Sequence, residues 1–581
     1  MRRLLLAMLM ACSTVTPAIA APGDDLARVI DDHWRWYLRN NPVLASAVGV
    51  RDYDSELGDF SIAAMDRQAQ EAGAFVARLD AIPDDGLTPA ARVDKALLRR
   101  LLSEQVEGNL YGSRLMNMSI LGSWFQSFAG LADVVPMRTR ADFASYLARL
   151  AKFPAANAQN LDVARAAVRG GFTQPCVTLT GFDTTITGVI SADPAASRFY
   201  APVLGNRPAD MTPADWSAAQ ARARALITDS LNPEYRKIET FYRGTYLPAC
   251  RKQLAATGLR DGQRLYNYLV RRETTTTLTP EQIHQTGLDE VTRIRAEMDA
   301  VASKAGYPTR AAFIAALRTD PRFYPRSAGE LMAAAALQAK TIDGKMPTLF
   351  ATLPRLPYGV RAIPAETAEG ATTAYYMPGS PRTGISGTFY VNTSKLSQRP
   401  LYELPALTAH EAVPGHHNQI ALQQELKLPA FRQYAAYFTA FTEGWGLYSE
   451  RLGIEMGLYD TPEKDMGRLS YEMWRACRLV VDTGIHAKGW SKERAVAFMK
   501  ENTALTDANI DAEVNRYITN PGQALGYKLG ELKIRALRAR AEKALGDRFD
   551  IRRFHDAVLA QGSVPLDVLE QQVDEWIAGQ R

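Results

Sequence analysis

The spacing of apolar residues predicts a protein built mainly from α-helices. Apolar side chains recur every three or four residues along most of the chain. Four helix starts are marked by a threonine N-cap followed by a proline in the first turn, at Thr88, Thr212, Thr279 and Thr461. We therefore predict helices, with breaks, over residues 24–48, 61–82, 88–108, 139–169, 213–255, 280–305, 327–342, 400–427, 430–457, 462–488, 492–502, 507–517, 522–545 and 550–578.

A short segment in the second half has the pattern of β-strands. Residues 358–392 contain three runs of β-branched and aromatic residues, YGVRAIP, TTAYYMP and GTFYVNT, which glycine and proline separate. This pattern predicts a small antiparallel β-sheet. The expected fold class is mainly α, with a large helical body and this sheet next to the helix that carries the candidate active site.

The N-terminus has the features of a secretory signal peptide. Residues 1–20 begin with two arginines after Met1, continue with a short apolar run and end in Ala18-Ile19-Ala20, a small-residue cleavage site. Lipidation is the alternative, because Leu9-Met10-Ala11-Cys12 resembles a lipobox that would attach a lipid anchor to Cys12. Both interpretations predict an extracytoplasmic protein, first of all periplasmic, with an outer-membrane lipoprotein or a secreted protein as alternatives.

Beyond the leader, we expect an N-terminal helical half over residues 21–270 and a catalytic half over residues 271–581. No flexible linker separates the two halves, so one continuous domain is the alternative. No apolar run after the leader is long enough for a transmembrane helix.

Charge and cysteine content narrow the classes of function. The chain has 68 Lys+Arg against 63 Asp+Glu and no long basic run, which argues against a nucleic-acid partner. An oxidising compartment permits a disulfide, and Cys176 with Cys250 is the pair we expect. The alternative is that Cys176, Cys250 and Cys477 are all buried free thiols. No Cys-x-x-Cys, nucleophile elbow or Walker loop occurs, so zinc–thiolate, serine-hydrolase and nucleotide chemistry are not indicated.

The candidate chemistry is concentrated in two neighbouring segments. Three of the seven histidines, His410, His416 and His417, lie within eight residues in the string HEAVPGHH, and the string EGWGLYSE begins at Glu443. Catalytic zinc commonly takes two histidines and a glutamate and keeps one position open for water. A neighbouring carboxylate, here Glu411, is then needed to accept a proton from that water. This combination predicts a metal site, although a single His-Glu pair is usually a solvated helix face.

The histidine spacing differs from the His-Glu-x-x-His pattern of zinc peptidases. In an unbroken helix His417 would lie on the same face as His410 but about 10.5 Å further along, too far to share one ion. Pro414 cannot continue the helical hydrogen bonds, and Gly415 can adopt unusual backbone dihedrals. A metal site therefore requires that Pro414-Gly415 break the helix and bring His416 or His417 back beside His410.

The strings HEAVPGHH and EGWGLYSE resemble the signature of the DUF885 family, bacterial and often secreted or lipid-anchored proteins that are presumed zinc hydrolases. Further matches are FYVNT, RLVVDTGIHAKGWS at 478–491 and RYITNPGQALGYKLG at 516–530, so the resemblance covers nearly the whole mature chain. More distantly, the layout is similar to helical gluzincin metallopeptidases such as the M32 carboxypeptidase, M3 and M2 groups. Those groups carry His-Glu-x-Gly-His and then a glutamate ligand on the next helix, whereas this chain has two residues inserted.

The resemblance implies one zinc ion with His410, His416 and Glu443 as its ligands, and Glu411 as the general base. The two-residue insertion leaves His417 as an alternative ligand. Glu450 follows Glu443 by two helical turns and is expected either to orient a histidine ligand or to be a surface partner of Arg451.

Later helices supply further candidates. Arg478, Asp482 and His486 share one helix face, either as a salt-bridge ladder or with His486 catalytic and Arg478 near a substrate carboxylate. Gluzincins place a tyrosine hydroxyl on the tetrahedral intermediate, and Tyr527 is our first candidate for it, with Tyr517 as a substrate-binding residue; a buried structural tyrosine is the alternative. Tyr390 is a further candidate for substrate binding, although the aromatic run Tyr375, Tyr376, Phe389 and Tyr390 is more often sheet core.

These observations predict an extracytoplasmic zinc-dependent hydrolase, a metallopeptidase acting on short peptides. Two alternatives remain open. One is a non-catalytic extracytoplasmic binding protein with a structural or decayed metal site. The other is a zinc amidase or esterase that uses the same chemistry on a non-peptide substrate, because attack on the carbonyl is the same.

Overall fold

The computed structural model describes residues 21–369 and 371–580. The predicted signal peptide and the alternative lipid anchor at Cys12 lie outside the described residues. The prediction of a mainly helical protein is confirmed. The helices before residue 275 are α1 (Pro22–Asn40), α2 (Pro42–Ala47), α3 (Ile62–Asp80), α4 (Pro89–Leu110), α5 (Trp124–Ala129), α6 (Leu131–Val134), α7 (Arg140–Gly170), α8 (Thr184–Thr187), α9 (Pro213–Leu226), α10 (Asn232–Phe241) and α11 (Gly262–Thr274).

The second half carries the longer helices and the sheet. Its helices are α12 (Pro280–Lys304), α13 (Arg310–Thr319), α14 (Ala328–Asp343), α15 (Ala365–Ala368), α16 (Leu404–Glu411), α17 (His416–Glu425), α18 (Ala430–Tyr434), α19 (Thr439–Leu452), α20 (Pro462–Lys488), α21 (Lys492–Asn502), α22 (Asp507–Thr519), α23 (Leu525–Leu545), α24 (Ile551–Leu559) and α25 (Leu566–Gln580). The strands are β1 (Tyr358–Ala362), β2 (Ala374–Met377) and β3 (Gly387–Val391).

The four predicted threonine N-caps are confirmed. Each threonine side chain accepts a hydrogen bond from a backbone N–H in the first turn of its helix. At Thr279 the side chain of Gln282 bonds back to the N-cap backbone, which completes a capping box at the start of α12. These caps satisfy N–H groups that have no partner inside the helix, and so they fix where the helices begin.

The sheet is mixed, and the prediction of an antiparallel sheet is wrong in this respect. The strand order is β1-β3-β2, with β2 antiparallel to β3 but β1 parallel to it. The segment after β1, which contains α15, carries the chain across β3, so that β1 and β2 lie on opposite edges. Alternation along β3 turns Phe389 and Val391 into the core, whereas Thr388 and Tyr390 face the other side.

Helices from both sides of residue 270 share one hydrophobic core. Buried residues of α1, α3 and α4 belong to the same cluster as buried residues of α19, α23, α24 and α25. A second cluster surrounds α20, which packs along α12, and includes the core face of the sheet. The division of the chain near residue 270 stays a prediction.

The predicted disulfide between Cys176 and Cys250 is confirmed, and Cys477 is a buried free thiol. Across residues 21–369 and 371–580, every helix is too short or too polar to cross a lipid bilayer.

Candidate metal centre

The Pro414-Gly415 segment separates two helices. Helix α16 ends at Glu411 and α17 begins at His416. A Cβ atom at Gly415 would overlap the carbonyl oxygen of His410, so only glycine allows the backbone to turn this tightly against the end of α16. The turn is held by the indole N–H of Trp445, which donates to the carbonyl oxygen of Pro414 at 2.8 Å. The helix is therefore interrupted between the two histidine positions.

This break allows His410, His416 and Glu443 to come together. One candidate ligand atom from each residue lies within 4.8 Å of the other two, and all three residues are buried. The Oε2 atom of Glu443 is 3.5 Å from His410 Nε2 and 3.3 Å from His416 Nε2. The two imidazole rings are nearly perpendicular, with 4.7 Å between their centroids. Helices α16, α17 and α19 thus each contribute one side chain to the group.

The arrangement fits a metal ion. Among the described residues, Glu443 Oε2 has no hydrogen-bond partner although it is buried, and a buried carboxylate oxygen without a partner is costly. Ligand atoms held at about 2.0–2.1 Å in tetrahedral geometry are about 3.4 Å apart, close to the two measured separations. Two imidazoles and one carboxylate also form the ligand set of a common type of catalytic zinc site.

Glu450 orients the first histidine. Its Oε1 atom lies 2.8 Å from His410 Nδ1 and 2.8 Å from Arg475 Nη2, and all three residues are buried. Because an ionised carboxylate only accepts hydrogen bonds, His410 donates from Nδ1 to Glu450, and its Nε2 atom lies on the side of Glu443. The alternative that Glu450 is a surface partner of Arg451 is wrong, since the Glu450 side chain is buried.

Two carboxylates make the site favourable for positive charge. Burial alone would lower the pKa of His410, but the adjacent carboxylates of Glu443 and Glu450 raise this pKa to about 9. Burial would likewise raise the pKa of Glu443, but the charges of His416 and His410 hold it well below its usual range. The site therefore stabilises a cation between these side chains.

Two further residues contact the candidate ligands: a glycine on α19 and a tyrosine just before this helix. A Cβ atom at Gly446 would lie 2.7 Å from His410 Cε1, so the absence of a side chain there makes room for the imidazole. The hydroxyl of Tyr437 donates to Glu443 Oε1 at 3.1 Å. This bond leaves Glu443 Oε2 directed at the two histidines.

Glu411, the predicted general base, follows His410 directly and is half-buried, whereas the ligand residues are buried. Its negative charge contributes to the raised pKa of His410. Within the part of the chain that the structure describes, the Glu411 carboxylate makes no hydrogen bond or ion pair. It therefore remains available for proton transfer.

His417 faces away from the group, toward the sheet. Its Nδ1 bonds to the Tyr376 hydroxyl at 2.9 Å and its Nε2 to the Leu356 carbonyl at 3.0 Å. The ring also packs on Tyr358, with 4.6 Å between centroids. His417 thus fixes α17 against the sheet, and His416 supplies the imidazole of the candidate centre.

Tyr527 lies beside the centre, on α23. Its ring is nearly parallel to that of His410, with 6.3 Å between centroids, and its hydroxyl accepts from Arg516 Nη2 at 2.8 Å. The guanidinium of Arg478 lies 4.2 Å from the centroid of the Tyr527 ring and pairs with Glu513 at 3.0 Å. Arg478 is buried and contacts Tyr527 and Glu513, and its predicted contact with substrate stays a prediction.

Tyr517 and His486 both make hydrogen bonds in the buried interior. The Tyr517 hydroxyl accepts from Trp474 Nε1 at 2.9 Å, and the side chain is completely buried. His486 Nδ1 accepts from the Ala256 backbone N–H at 2.9 Å, and its Nε2 donates to the Tyr517 carbonyl at 3.0 Å. Burial lowers the pKa of His486 to about 4. Both ring nitrogens of His486 thus bond to backbone groups outside the candidate centre, and the predicted roles of His486 in catalysis and of Tyr517 in substrate binding stay predictions.

A cavity of about 750 Å³ adjoins the centre. Its wall includes Tyr437, which bonds to Glu443, and Thr442, the residue before Glu443. Tyr390, a predicted substrate-binding residue, also lines this cavity, as does the Tyr375 ring stacked on it at 4.9 Å. The half-exposed ring of Tyr437 thus joins the cavity to the metal centre.

Sequence reasoning missed Tyr437, Arg475 and Arg516. Each contacts a candidate residue from outside the helix that carries this residue, and helical spacing does not indicate such contacts. Gly446 had a usable signal, because two glycines flank a tryptophan directly after Glu443. A glycine in a helix interior is unfavourable and often marks close packing.

The chain belongs to the DUF885 family, described as bacterial proteins of unknown function, and residues 42–573 match the family. The predicted family membership is thereby confirmed. No functionally curated protein matches the chain.

Two solved structures resemble the fold. One is the crystal structure of a presumed lipoprotein from Colwellia psychrerythraea, with 28% identity and a TM-score of 0.89, which covers 97% of this chain and 100% of that one. The other is a presumed lipoprotein of unknown function from Shewanella oneidensis, with 19% identity and a TM-score of 0.66, covering 95% of this chain and 99% of that one. The second similarity concerns the fold alone.

Proposed function

We propose that this protein is a zinc-dependent hydrolase, specifically a metallopeptidase that cleaves short peptides. The observation that carries the proposal is the buried, unpartnered Oε2 of Glu443 between the Nε2 atoms of His410 and His416. These three side chains match a metal-ligand set, and burying them together in any other role would cost free energy.

The adjacent carboxylate would perform the proton transfers. When bound, zinc supplies Lewis acidity that polarises a carbonyl and lowers the pKa of water toward 7. Glu411 accepts the proton from the attacking water as the new carbon–oxygen bond forms. When the carbon–nitrogen bond breaks, Glu411 returns that proton to the leaving amine. The half-buried position of Glu411, next to a ligand and without a partner among the described residues, suits this role.

Other side chains would hold the reacting groups in position. Glu450 fixes the tautomer and orientation of His410, and Tyr437 fixes the carboxylate of Glu443. Tyr527, clamped by Arg516 and packed beside His410, is our candidate for stabilising charge on the substrate carbonyl oxygen.

The adjoining cavity supports a small substrate. Its volume of about 750 Å³ falls within the usual range for small-ligand sites, about 300–1,000 Å³, and suits a short peptide rather than a folded protein. We place the protein outside the cytoplasm, in the periplasm, either cleaved or lipid-anchored. The signal-like leader supports this location, as does the description of both structural relatives as presumed lipoproteins.

Replacement of the general base tests the proposal. A zinc-loaded Glu411→Gln variant is expected to bind zinc as the wild type does and to lose at least 100-fold in peptide hydrolysis. Glu425→Gln, which removes a carboxylate at the other end of α17, is the control and should stay active. Full activity of Glu411→Gln would refute the mechanism. Bound zinc without turnover of peptides, esters or amides would favour the binding-protein alternative, whereas turnover of esters or amides alone would favour a non-peptide substrate.

A further inference from the structure

One face of the sheet forms part of the cavity wall. Arg361 of β1 pairs in register with Tyr390 of β3, which pairs in turn with Tyr375 of β2. All three residues line the cavity, so they form a row across the three strands. Thr388 and Met377, which pair with each other two residues away, line the same cavity. The sheet therefore presents one arginine next to two stacked tyrosine rings.

The charges on the cavity wall are unbalanced. Among the described residues, the charged side chains in this wall are Asp133, Arg138, Arg198 and Arg361. Asp133 forms an ion pair with Arg198. Neither Arg138 nor Arg361 has a carboxylate partner within the ranges described. The wall therefore has a surplus of positive charge.

The position of Arg138 is fixed by its contacts. Its Nη2 donates to the Gly384 carbonyl at 2.7 Å, which ties the segment before α7 to the loop between β2 and β3. In the same loop, the guanidinium of Arg382 lies 5.3 Å from the centroid of the ring of Tyr434, which forms part of the wall. Arginine side chains thus surround the cavity on the sheet side and on the side of the N-terminal half.

Arginine and tyrosine on one wall suit a particular class of ligand. Guanidinium groups bind carboxylates through paired, charge-assisted hydrogen bonds, and tyrosine rings supply flat contact area with little loss of side-chain entropy. Tyr437, which bonds to Glu443, also forms part of the cavity wall. A peptide lying over the tyrosines would thus extend from the arginines toward the metal centre.

We infer that this cavity selects short peptides that carry carboxylate side chains, with Arg138 and Arg361 as the selecting residues. As a statement about substrates, the inference rests on the proposed peptidase function. Charge-selective binding itself can be measured without turnover.

Calorimetric titration tests this binding directly. We would titrate an acidic tetrapeptide and its amide counterpart, with Gln for Glu and Asn for Asp, into the zinc-loaded Glu411→Gln protein, so that bound peptide persists. The acidic peptide should bind at least tenfold more tightly, and the preference should shrink between 50 and 500 mM salt, as expected for exposed charges. Arg138→Gln and Arg361→Gln should each weaken only the acidic peptide, by roughly fivefold. Arg222→Gln, exposed on α9 and outside the wall, is the matched control and should change nothing.

The outcomes separate this inference from the proposed function. Equal affinity for the two peptides, or equal effects of the three arginine variants, overturns the inference. Hydrolysis of neutral and acidic peptides at the same kcat/KM by the wild type also overturns it, but leaves the peptidase function intact. Charge-selective binding that depends on Arg138 and Arg361, with no hydrolysis by the wild type, supports the inference as a binding property and refutes the peptidase.

Discussion

The hydrogen bond between Glu450 and His410 gives the most specific prediction about the metal centre. Glu450→Gln keeps the shape of the side chain and an oxygen acceptor for His410 Nδ1, but removes the negative charge. Glu450→Ala removes the acceptor as well, and leaves Arg475, which is 4% exposed, without its carboxylate partner. The two variants therefore separate the charge of Glu450 from its hydrogen bond.

The expected magnitudes follow from the buried geometry. A hydrogen bond to a charged acceptor contributes about 1.5–3 kcal/mol and a neutral one about 0.5–1.5 kcal/mol. With both partners buried and 2.8 Å apart, Glu450→Gln should lower zinc affinity about tenfold. Glu450→Ala should lower it about 100-fold, the upper end for residues that orient metal ligands. Glu450→Ala should also cost about 3–5 kcal/mol of folding stability, because Arg475 would be buried unpaired.

Competition with a chromophoric chelator measures the zinc affinity, and urea unfolding of the metal-free proteins measures the stability. The matched control is Glu455→Gln, which removes a carboxylate from another ion pair, with Arg538 at 2.7 Å, away from the ligands. It should leave zinc affinity unchanged. If Glu450→Gln and Glu450→Ala bind zinc as tightly as the wild type, Glu450 does not orient a ligand and His410 does not bind metal through Nε2.

Three further predictions concern packing, pH and the disulfide. Gly446→Ala places a methyl group 2.7 Å from the ligand imidazole, so zinc affinity should fall about tenfold while circular dichroism stays unchanged. Burial holds the pKa of His486 at about 4, against 6.5 for the exposed side chain. The neutral form therefore stabilises the fold fully above pH 6.5, and up to about 3 kcal/mol is lost as pH falls toward 4, measurable by urea unfolding across that range. Reduction of Cys176–Cys250, which are 74 residues apart, should cost about 4 kcal/mol of stability in the same assay.

Each of these has a result that would contradict it. Unchanged zinc affinity in Gly446→Ala would mean that the imidazole does not occupy the space beside this glycine. For the pH dependence, His486→Gln should flatten the slope between pH 6.5 and 4, and an unchanged slope would assign the effect to other groups. For the disulfide, Cys176→Ser should unfold at the same urea concentration as the reduced wild type, and a difference would point to an effect of the substitution itself.

The sequence predicted the helices better than the sheet. Helix boundaries depend on local signals such as the caps at Thr88 and Thr279, and these signals act within a few residues. The strand segments were found for the same reason, since β-branched and aromatic runs are local. The direction of β1 was not predicted correctly. It depends on the path of the chain across β3, which no local residue pattern determines.

The candidate site shows the same limit. The residue types and the need for a break at Pro414-Gly415 follow from the sequence, because the spacing of His410 and the later histidines fails in an unbroken helix. Which of His416 and His417 faces His410 depends on the angle at which α17 leaves the break, and this angle follows from tertiary packing. The contacts of Arg478 and His486 were not predictable for a related reason. A polar helix face predicts a charged neighbour, but the sequence does not show whether that neighbour is a substrate or another part of the fold.

The most direct test of the central claim is the location of zinc by anomalous X-ray scattering at the zinc edge, in crystals of the zinc-loaded protein. We expect one strong peak within bonding distance of His410 Nε2, His416 Nε2 and a Glu443 oxygen, and the loss of this peak in His416→Ala. A peak at His417 instead, or no peak at these three residues, would refute the proposed metal centre.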